Sequence, residues 1–296
     1  MNMETLKNLI ELQKAPKGYE ISFINYEKPN HYPEAVVLTP ISKEKVVLPA
    51  IHLDDILSSY EKKGSLAIKE AINDLYETID GREKEKILIS SEQYIRAYFK
   101  KENLFMKLIN AKSNKSILEK VPHKIIEDLA VIYYFILENN ESNCSSIMIT
   151  KSLLNELGWK ENNLYEMALE NTQKLFPLEI VSISEFLLAG LVDEKYLKRK
   201  VEEDAEILFV VTNQKQSNGA TVMLYPEVIE FFSKKWNNFY ILPSSTHEVL
   251  ICPAFFKPME LKEIVKSVNA TIESCDILSD EVYYYDKEEK RIRIAY

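Results

Sequence analysis

The sequence has 296 residues, of which 46% are apolar, so it can bury a hydrophobic core and lacks the composition of a disordered chain. Its 37 Lys and Arg residues against 46 Asp and Glu residues give a net charge of −9. This charge argues against nucleic-acid binding, because that affinity comes from basic side chains that displace counterions from phosphates. Six glycines are too few to favour glycine-rich loops that cradle phosphates.

The first third of the sequence predicts helices packed with a β-hairpin. Apolar residues between positions 3 and 10 recur at helical spacing and predict a short first helix. Residues 19–26 and 35–39 are rich in β-favouring side chains and predict the two strands of the hairpin. Two further helices are predicted, one closed by Gly64 and one over 68–79, where the apolar residues again follow a helical spacing.

The middle of the sequence predicts mostly helices. Residues 125–137 are apolar around nearly the whole helical wheel, which predicts a buried helix. Residues 146–150 predict a strand, and the apolar spacing predicts further helices over 153–157 and 164–175. The segment 92–111 fits either a strand or a helix, and its pattern leaves both open.

Hairpins dominate the sequence from residue 207 onward. Two β-favouring runs, 207–212 and 220–225, flank a turn around Asn218 and Gly219 and predict a hairpin. Pro226 suits the first turn of a helix. Because helices interleave with hairpins, the sequence predicts an α+β fold of mainly antiparallel strands and hairpins packed with amphipathic helices.

The remaining predicted elements lie in several parts of the chain. They are a strand over 87–90, helices over 184–203 and 261–268, strands over 239–243 and 248–253, and a terminal hairpin over 281–296.

A polar stretch at 111–121 is a candidate domain boundary. We expect an N-terminal α+β region over 1–120, then a helical segment and a C-terminal α+β region over 121–296, with a single compact domain as the alternative. Three widely spaced cysteines predict reduced thiols, and the sequence shows neither a signal peptide nor a stretch long enough to cross a bilayer. These features predict a cytoplasmic protein that does not contact a membrane.

Three segments carry a family resemblance. They are PH-x4-DLAV-x-Y at 122–133, NGA-x4-YP at 218–226 and ILPSS-x-HEV at 241–249. Together with neighbouring segments they resemble a family of bacterial proteins known only as a domain of unknown function. The resemblance extends over most of the chain beyond residue 34 and implies a cytosolic bacterial protein, but it implies no activity, substrate or catalytic residue.

The densest set of reactive side chains lies between two predicted strands, at Ser244, Ser245, Thr246, His247 and Glu248. Nucleophilic catalysis needs a hydroxyl whose proton an imidazole accepts, and a carboxylate that orients the imidazole. Alternate residues of a strand share a face, which would bring Ser245 and His247 together. The alternative is a turn in which the hydroxyls bond to local backbone groups.

The same segment invites comparison with a zinc motif. His247 and Glu248 match the first half of His-Glu-x-x-His, but the position of the second histidine holds Ile251. The sequence has only four histidines, so a site of several imidazoles would need nearly all of them. We therefore predict neither a metal nor a cofactor.

A second set, His123, Glu127 and Asp128, lies in the segment predicted to be helical. Residues four apart on a helix face each other, so Glu127 would raise the basicity of His123 and make it a general base. The alternative is that the acidic residues only complement the helix dipole. Asp128 directly precedes the apolar run and is expected to be partly buried, where a carboxylate needs partners.

Two regions are candidates for binding. Asn218 and Gly219 suit a tight turn, and the backbone N–H groups of that turn could instead hold an anion. The terminal hairpin offers aromatic and basic side chains that would form a surface for a partner protein, and cross-strand pairing within the hairpin is the alternative. These side chains are Tyr283, Tyr285, Arg291 and Arg293.

The poor catalytic spacing and the scarcity of glycine predict a noncatalytic binding or accessory protein that acts through a macromolecular partner, with a protein favoured over nucleic acid. The first alternative is a hydrolase built on Ser244, Ser245 and His247, with His123 or Asp128 as further members. It requires a serine hydroxyl within hydrogen-bond reach of His247. The second alternative is an acidic mimic of nucleic acid, which requires acidic side chains concentrated on one face. The oligomeric state stays open.

Overall fold

The structure is a computed structural model of the chain. The chain forms two compact units, Met1–Phe99 and Lys100–Tyr296. Residues 111–121, the predicted boundary, lie within the second unit, and the number of domains stays a prediction. The structure describes residues 1–25, 28–30, 34–42, 49–84, 99–139, 144–185 and 207–296.

In its described residues, the first unit combines three helices with a three-stranded antiparallel sheet. The predicted hairpin is confirmed, because β1 pairs with β2, and β2 also pairs with β3. The predicted helices are also confirmed, and Gly64 ends the second of them with a φ of 59°. Leu6, Val36, Leu53 and Ile72 belong to one core that all these elements share. The elements are α1 (Met3–Glu11), β1 (Tyr19–Asn25), β2 (Glu34–Pro40), β3 (Ile51–His52), α2 (Leu53–Lys63) and α3 (Ser65–Lys84).

The second unit begins with a four-stranded antiparallel sheet. Its central strand is β6, which pairs with β4 on one side and with β5 and β7 on the other. The described part of the ambiguous segment 92–111 therefore forms a strand, after a short 3₁₀ turn at Lys101–Asn103. The strands are β4 (Leu104–Asn110), β5 (His123–Ile126), β6 (Leu129–Asn139) and β7 (Cys144–Met148).

The predicted buried helix over 125–137 is wrong, because this segment forms β5, a tight turn and β6. Residues Leu129–Ile136 are buried on both faces of the central strand, so the run is apolar throughout and has no period of two. A run of this kind cannot be separated from a buried helix by periodicity alone. Its β-branched and aromatic content is what favours the strand.

The second unit also contains a six-stranded antiparallel sheet, with the strands in the order β13-β12-β10-β11-β9-β8. It contains the predicted strands at 239–243 and 248–253 and the predicted terminal hairpin. The overall class is α+β, as predicted. The strands are β8 (Leu178–Ser182), β9 (Phe209–Asn213), β10 (Phe239–Leu242), β11 (Val249–Pro253), β12 (Tyr283–Asp286) and β13 (Arg291–Ile294).

Five α-helices of the second unit lie wholly within the described residues. Pro226 is the first residue of its helix, as predicted, because proline tolerates a position where no helical N–H bond is needed. The predicted helices over 153–157, 164–175 and 261–268 are also present. The helices are α4 (Lys115–Lys120), α5 (Lys151–Glu156), α6 (Leu164–Leu175), α7 (Pro226–Trp236) and α8 (Pro258–Asn269).

The predicted strand over 220–225 is wrong, because Gly219–Leu224 forms a 3₁₀ helix. Asn218 precedes it with a φ of 51°, which redirects the chain after β9. Ala220, Val222 and Met223 are fully buried. Because the run is buried on all sides, its apolar pattern does not distinguish a strand from a short helix.

Two predictions fall on other parts of the chain. The strand over 87–90 lies outside the described residues, as does most of the helix over 184–203. Within the ranges that the structure describes, no helix combines the length and the apolar character that a membrane span requires.

Candidate functional site

The side chain of His247 is bound at both ring nitrogens. Nδ1 accepts a hydrogen bond from the backbone N–H of Asn218 at 3.2 Å, and Nε2 lies 3.2 Å from Oδ1 of Asp276. A backbone N–H can only donate, so Nδ1 carries no proton in this arrangement and Nε2–H donates to the carboxylate. His247 and Asp276 are 42% and 40% exposed, so the ring lies at the surface of the second unit.

The backbone around His247 is bonded to two neighbouring segments. The backbone N–H of Thr246 donates to the carbonyl of Asp276 at 2.7 Å. The carbonyl of Thr246 accepts from the backbone N–H of Ala220 at 3.2 Å. The hydroxyl of Thr212 on β9 donates to the carbonyl of His247 at 2.7 Å. The loop between β10 and β11 is therefore tied to β9, to the 3₁₀ helix and to the segment after α8.

Ser244 and Ser245 do not bond to the ring of His247. Oγ of Ser245 accepts from the backbone N–H of His247 at 2.9 Å, and Oγ of Ser244 donates to Oε1 of Glu248 at 3.3 Å. Hydroxyls that bond within the same few residues are typical of a polar turn. The structure thus brings the predicted catalytic residues into one loop without placing a serine on the imidazole. We call this set, together with Asn218 and Asp276, the His247 cluster.

Gly219 is packed closely against two neighbouring segments. A β-carbon at this position would overlap Oγ1 of Thr212 and the carbonyl oxygen of His247. Because Gly219 lies so close to the backbone of His247, the N–H of the preceding residue, Asn218, can reach the imidazole. This lack of space accounts for the glycine at position 219, and anion binding is not needed to explain it.

We expect His247→Ala to lower the free energy of unfolding of the second unit by about 1 kcal/mol, because it removes two hydrogen bonds from a half-exposed side chain. Trp159 and Trp236, the two tryptophans of the chain, both lie in this unit. Urea unfolding followed by tryptophan fluorescence therefore measures the effect. Ser244→Ala is the matched control, with an expected change of about 0.5 kcal/mol or less. An unchanged His247→Ala midpoint would contradict the structural role.

His123 and Glu127 do not form the predicted helical pair, because the segment that contains them is a β-hairpin. His123 begins β5, and its Nδ1–H donates to the carbonyl of Val121 at 3.1 Å. Glu127 and Asp128 form the two-residue turn between β5 and β6, with Glu127 at a φ of 56°. Because the segment is a hairpin, the four-residue spacing does not bring His123 against Glu127.

The carboxylate of Asp128 accepts hydrogen bonds from two hydroxyls. Tyr283 on β12 donates to Oδ1 at 2.5 Å, and Ser279 donates to Oδ2 at 2.6 Å. Both donors are buried. Burial and the neighbouring Asp128 carboxylate raise the pKa of Tyr283 well above its usual range, so the phenol remains a donor. We call these three residues the Asp128 cluster.

The segment that carries Ser279 is bonded to two more elements. Asn269, at the end of α8, donates through Nδ2 to the carbonyl of Ser279 at 3.0 Å and to Oδ1 of Asp280 at 2.7 Å. Asn110, at the end of β4, donates to the carbonyl of Leu278 at 3.1 Å. The Asp128 cluster therefore lies where the four-stranded sheet, the six-stranded sheet and α8 are joined.

The predicted surface on the terminal hairpin is not continuous. Tyr283 and Tyr285 are buried, and Tyr285 stacks on Phe239. Arg291 and Arg293 are exposed on β13, where they lie 3.4 Å from carboxylate oxygens of Glu127 and Asp286, respectively. Successive side chains of a strand point to opposite faces of the sheet. The two tyrosines therefore lie on one face and the two arginines on the other.

Sequence reasoning did not single out Asp276, Ser279 or Thr212. Asp276 and Ser279 follow α8 in a polar stretch with no recognisable motif, and Thr212 lies within an apolar run. Ser279 is 151 residues from Asp128, so no local spacing relates them. Partial burial of Asp128 was the one available signal, because a buried carboxylate requires partners from elsewhere in the chain.

Comparisons with known proteins agree with the family resemblance. The model of DUF5688, a family of unknown function, matches residues 3–287. No curated protein and no solved structure matches the chain. The family match extends through both compact units, so the predicted resemblance to a family of unknown function is confirmed.

Proposed function

Because the chain belongs to this family of unknown function, we propose from its geometry that it is a noncatalytic binding or accessory protein that acts through a partner protein. The observation that carries the proposal is the use of both ring nitrogens of His247 as structural hydrogen-bond groups. An imidazole bound in this way has no nitrogen left to accept the proton of a serine hydroxyl. This supports a binding role over the hydrolase alternative.

The Asp128 cluster supports the same proposal. The carboxylate of Asp128 accepts hydrogen bonds from the hydroxyls of both Tyr283 and Ser279. These contacts suit a residue that holds the two sheets together, whereas a general base needs an oxygen that is open to a substrate. The hydroxyl partners of Asp128 are buried beside it. The segments that contain Asp128 and His247 therefore use their polar side chains to position the chain itself.

The distribution of charge supports a binding protein whose surface carries both signs of charge over an acidic mimic of nucleic acid. Basic side chains pair with acidic ones in both units, and a mimic of nucleic acid needs a field of one sign. The pairs include Lys7 with Glu34, Lys63 with Glu70, Lys174 with Glu170 and Lys262 with Glu281. The cytoplasm is the proposed location, and the reduced thiol of Cys252 is in keeping with a reducing compartment.

A fluorophosphonate probe tests the proposal, because it forms a covalent adduct with a serine that an imidazole activates. We expect intact-mass analysis to show no adduct on the full chain after an incubation that labels a serine hydrolase standard completely. Peptide mapping then examines Ser244 and Ser245 individually. The reactivity of ordinary surface serines is the baseline.

An adduct at Ser244 or Ser245 that disappears in His247→Ala would overturn the noncatalytic proposal. An adduct that persists in that variant would reflect a serine unrelated to the imidazole and would leave the proposal standing. Ser244→Ala and Ser245→Ala are the matched controls that assign the labelled position.

A further inference from the structure

β13 is one edge of the six-stranded sheet. Its inner side pairs with β12 from Arg291 to Ile294, and in the described part of the chain no strand pairs with its outer side. An edge of this kind presents backbone N–H and C=O groups that can pair with an added strand. Many peptide-binding proteins recognise an extended segment in this way.

The register identifies the backbone groups that point outward. The N–H of Ala295 donates to the carbonyl of Val282 on the inner side at 2.8 Å. In an antiparallel pair, successive residues direct these groups alternately toward the partner strand and away from it. The N–H and C=O groups of Ile292 and Ile294 therefore point outward, and together they offer two donors and two acceptors.

We propose that β13 is the docking edge for an extended, acidic segment of a partner protein, which adds to the sheet as a further strand. This inference rests on the proposed binding function and specifies its surface. The guanidinium groups of Arg291 and Arg293 lie on one face of β13, and their side chains are 66% and 45% exposed. Carboxylates at alternate positions of the added strand would lie beside them.

The existing partners of the two arginines do not prevent this pairing. Each guanidinium lies 3.4 Å from its carboxylate, farther than in a strong charge-assisted hydrogen bond. The carboxylate side chains of Glu127 and Asp286 are only 20% and 17% exposed, but both arginine side chains stay in contact with solvent and can reach a second carboxylate. Ile292 and Ile294 are half-buried on the opposite face, in register with Tyr285 and Tyr283. The added strand would therefore alternate acidic with apolar residues, and its apolar side chains would extend this face.

Charge also argues against a second copy of this chain as the occupant. If two β13 strands paired edge to edge, Arg291 and Arg293 of both copies would face each other on one side of the new sheet. Like charges opposite each other across strands are destabilising. An acidic segment removes this repulsion and replaces it with attraction.

The test uses the full chain and a fluorescein-labelled heptapeptide in which glutamate alternates with valine. We expect saturable binding in fluorescence anisotropy, and binding at least about tenfold weaker for the same peptide with lysine in place of glutamate. Ile292→Pro removes one outward N–H and leaves the bonds to β12 in place, as edge strands tolerate. We expect it to weaken binding about tenfold or more without changing the circular dichroism spectrum.

The double variant Arg291→Glu and Arg293→Glu tests the charge independently of proline, and it should reverse the preference between the two peptides. Absence of saturable binding at millimolar peptide would overturn the inference, as would binding that neither variant changes. A dimer that Ile292→Pro dissociates would identify a second copy as the occupant and would also overturn it. If the peptide does not bind and the fluorophosphonate probe labels neither Ser244 nor Ser245, only the docking edge is rejected. If the probe forms an adduct that depends on the imidazole of His247, the proposed function is rejected.

Discussion

Replacing Asp128 by alanine is expected to lower the free energy of unfolding of the second unit by about 3 kcal/mol, because two hydrogen bonds to a carboxylate are lost and a buried phenol is left without an acceptor. Tyr283 is fully buried, so water cannot replace the lost partner without opening the joint between the two sheets. The urea midpoint measured by tryptophan fluorescence should fall accordingly, with no loss of the secondary structure seen at zero urea.

Tyr283→Phe is the matched control for Asp128→Ala. It removes only the hydroxyl, and Asp128 keeps its bond from Ser279, so we expect a loss of about 1.5 kcal/mol. The double variant should be less destabilised than the sum of the two single variants, since contacting residues couple by about 0.5–3 kcal/mol. Strict additivity would mean that the carboxylate and the phenol do not stabilise each other, and it would contradict the Asp128 cluster.

We expect Gly219→Ala to cost about 3 kcal/mol, because the added methyl group must displace the backbone of a well-packed loop. One of the atoms that it would overlap is the carbonyl oxygen of His247, which cannot rotate away as a flexible side chain would. The displacement should also lengthen the bond between the Asn218 N–H and the imidazole. Tryptophan fluorescence in urea measures the loss of stability.

Gly158→Ala separates steric overlap from backbone conformation. Gly158 has a φ of 67° and open space around its α-carbon, so alanine there pays only for the left-handed conformation, about 1 kcal/mol. If the two variants are equally destabilised, close packing at Gly219 is not the reason for its glycine. If Gly219→Ala is clearly worse, the steric role holds.

Local patterns in the sequence predict the elements that bury one face. The helix α3 shows a clear apolar spacing, and the hairpins β1–β2 and β12–β13 show turn residues between β-favouring runs. The errors fall on β6 and on the 3₁₀ helix after Asn218, both of which are buried on all sides. Complete burial removes the polar positions from which a period is read, so sequence alone could not assign these segments.

The candidate site shows the same limit at longer range. The sequence predicts that Asp128 is partly buried, and it offers a turn as one of two alternatives for Ser244 and Ser245. It does not indicate that Asp276 binds His247 or that Ser279 and Tyr283 bind Asp128, because these contacts join residues 29, 151 and 155 positions apart. They arise from how the sheets pack, which no spacing along the chain encodes.

The protonation of the His247 ring tests the central claim most directly, since that claim assigns both nitrogens to structural bonds. A long-range proton–nitrogen correlation spectrum of the histidine side chains resolves the tautomer, and the His247→Ala spectrum identifies the signal among the four histidines. We predict the tautomer with hydrogen on Nε2 and an unprotonated Nδ1 that accepts from Asn218. A ring protonated at Nδ1, with Nε2 free to accept a proton from a hydroxyl, would contradict the account.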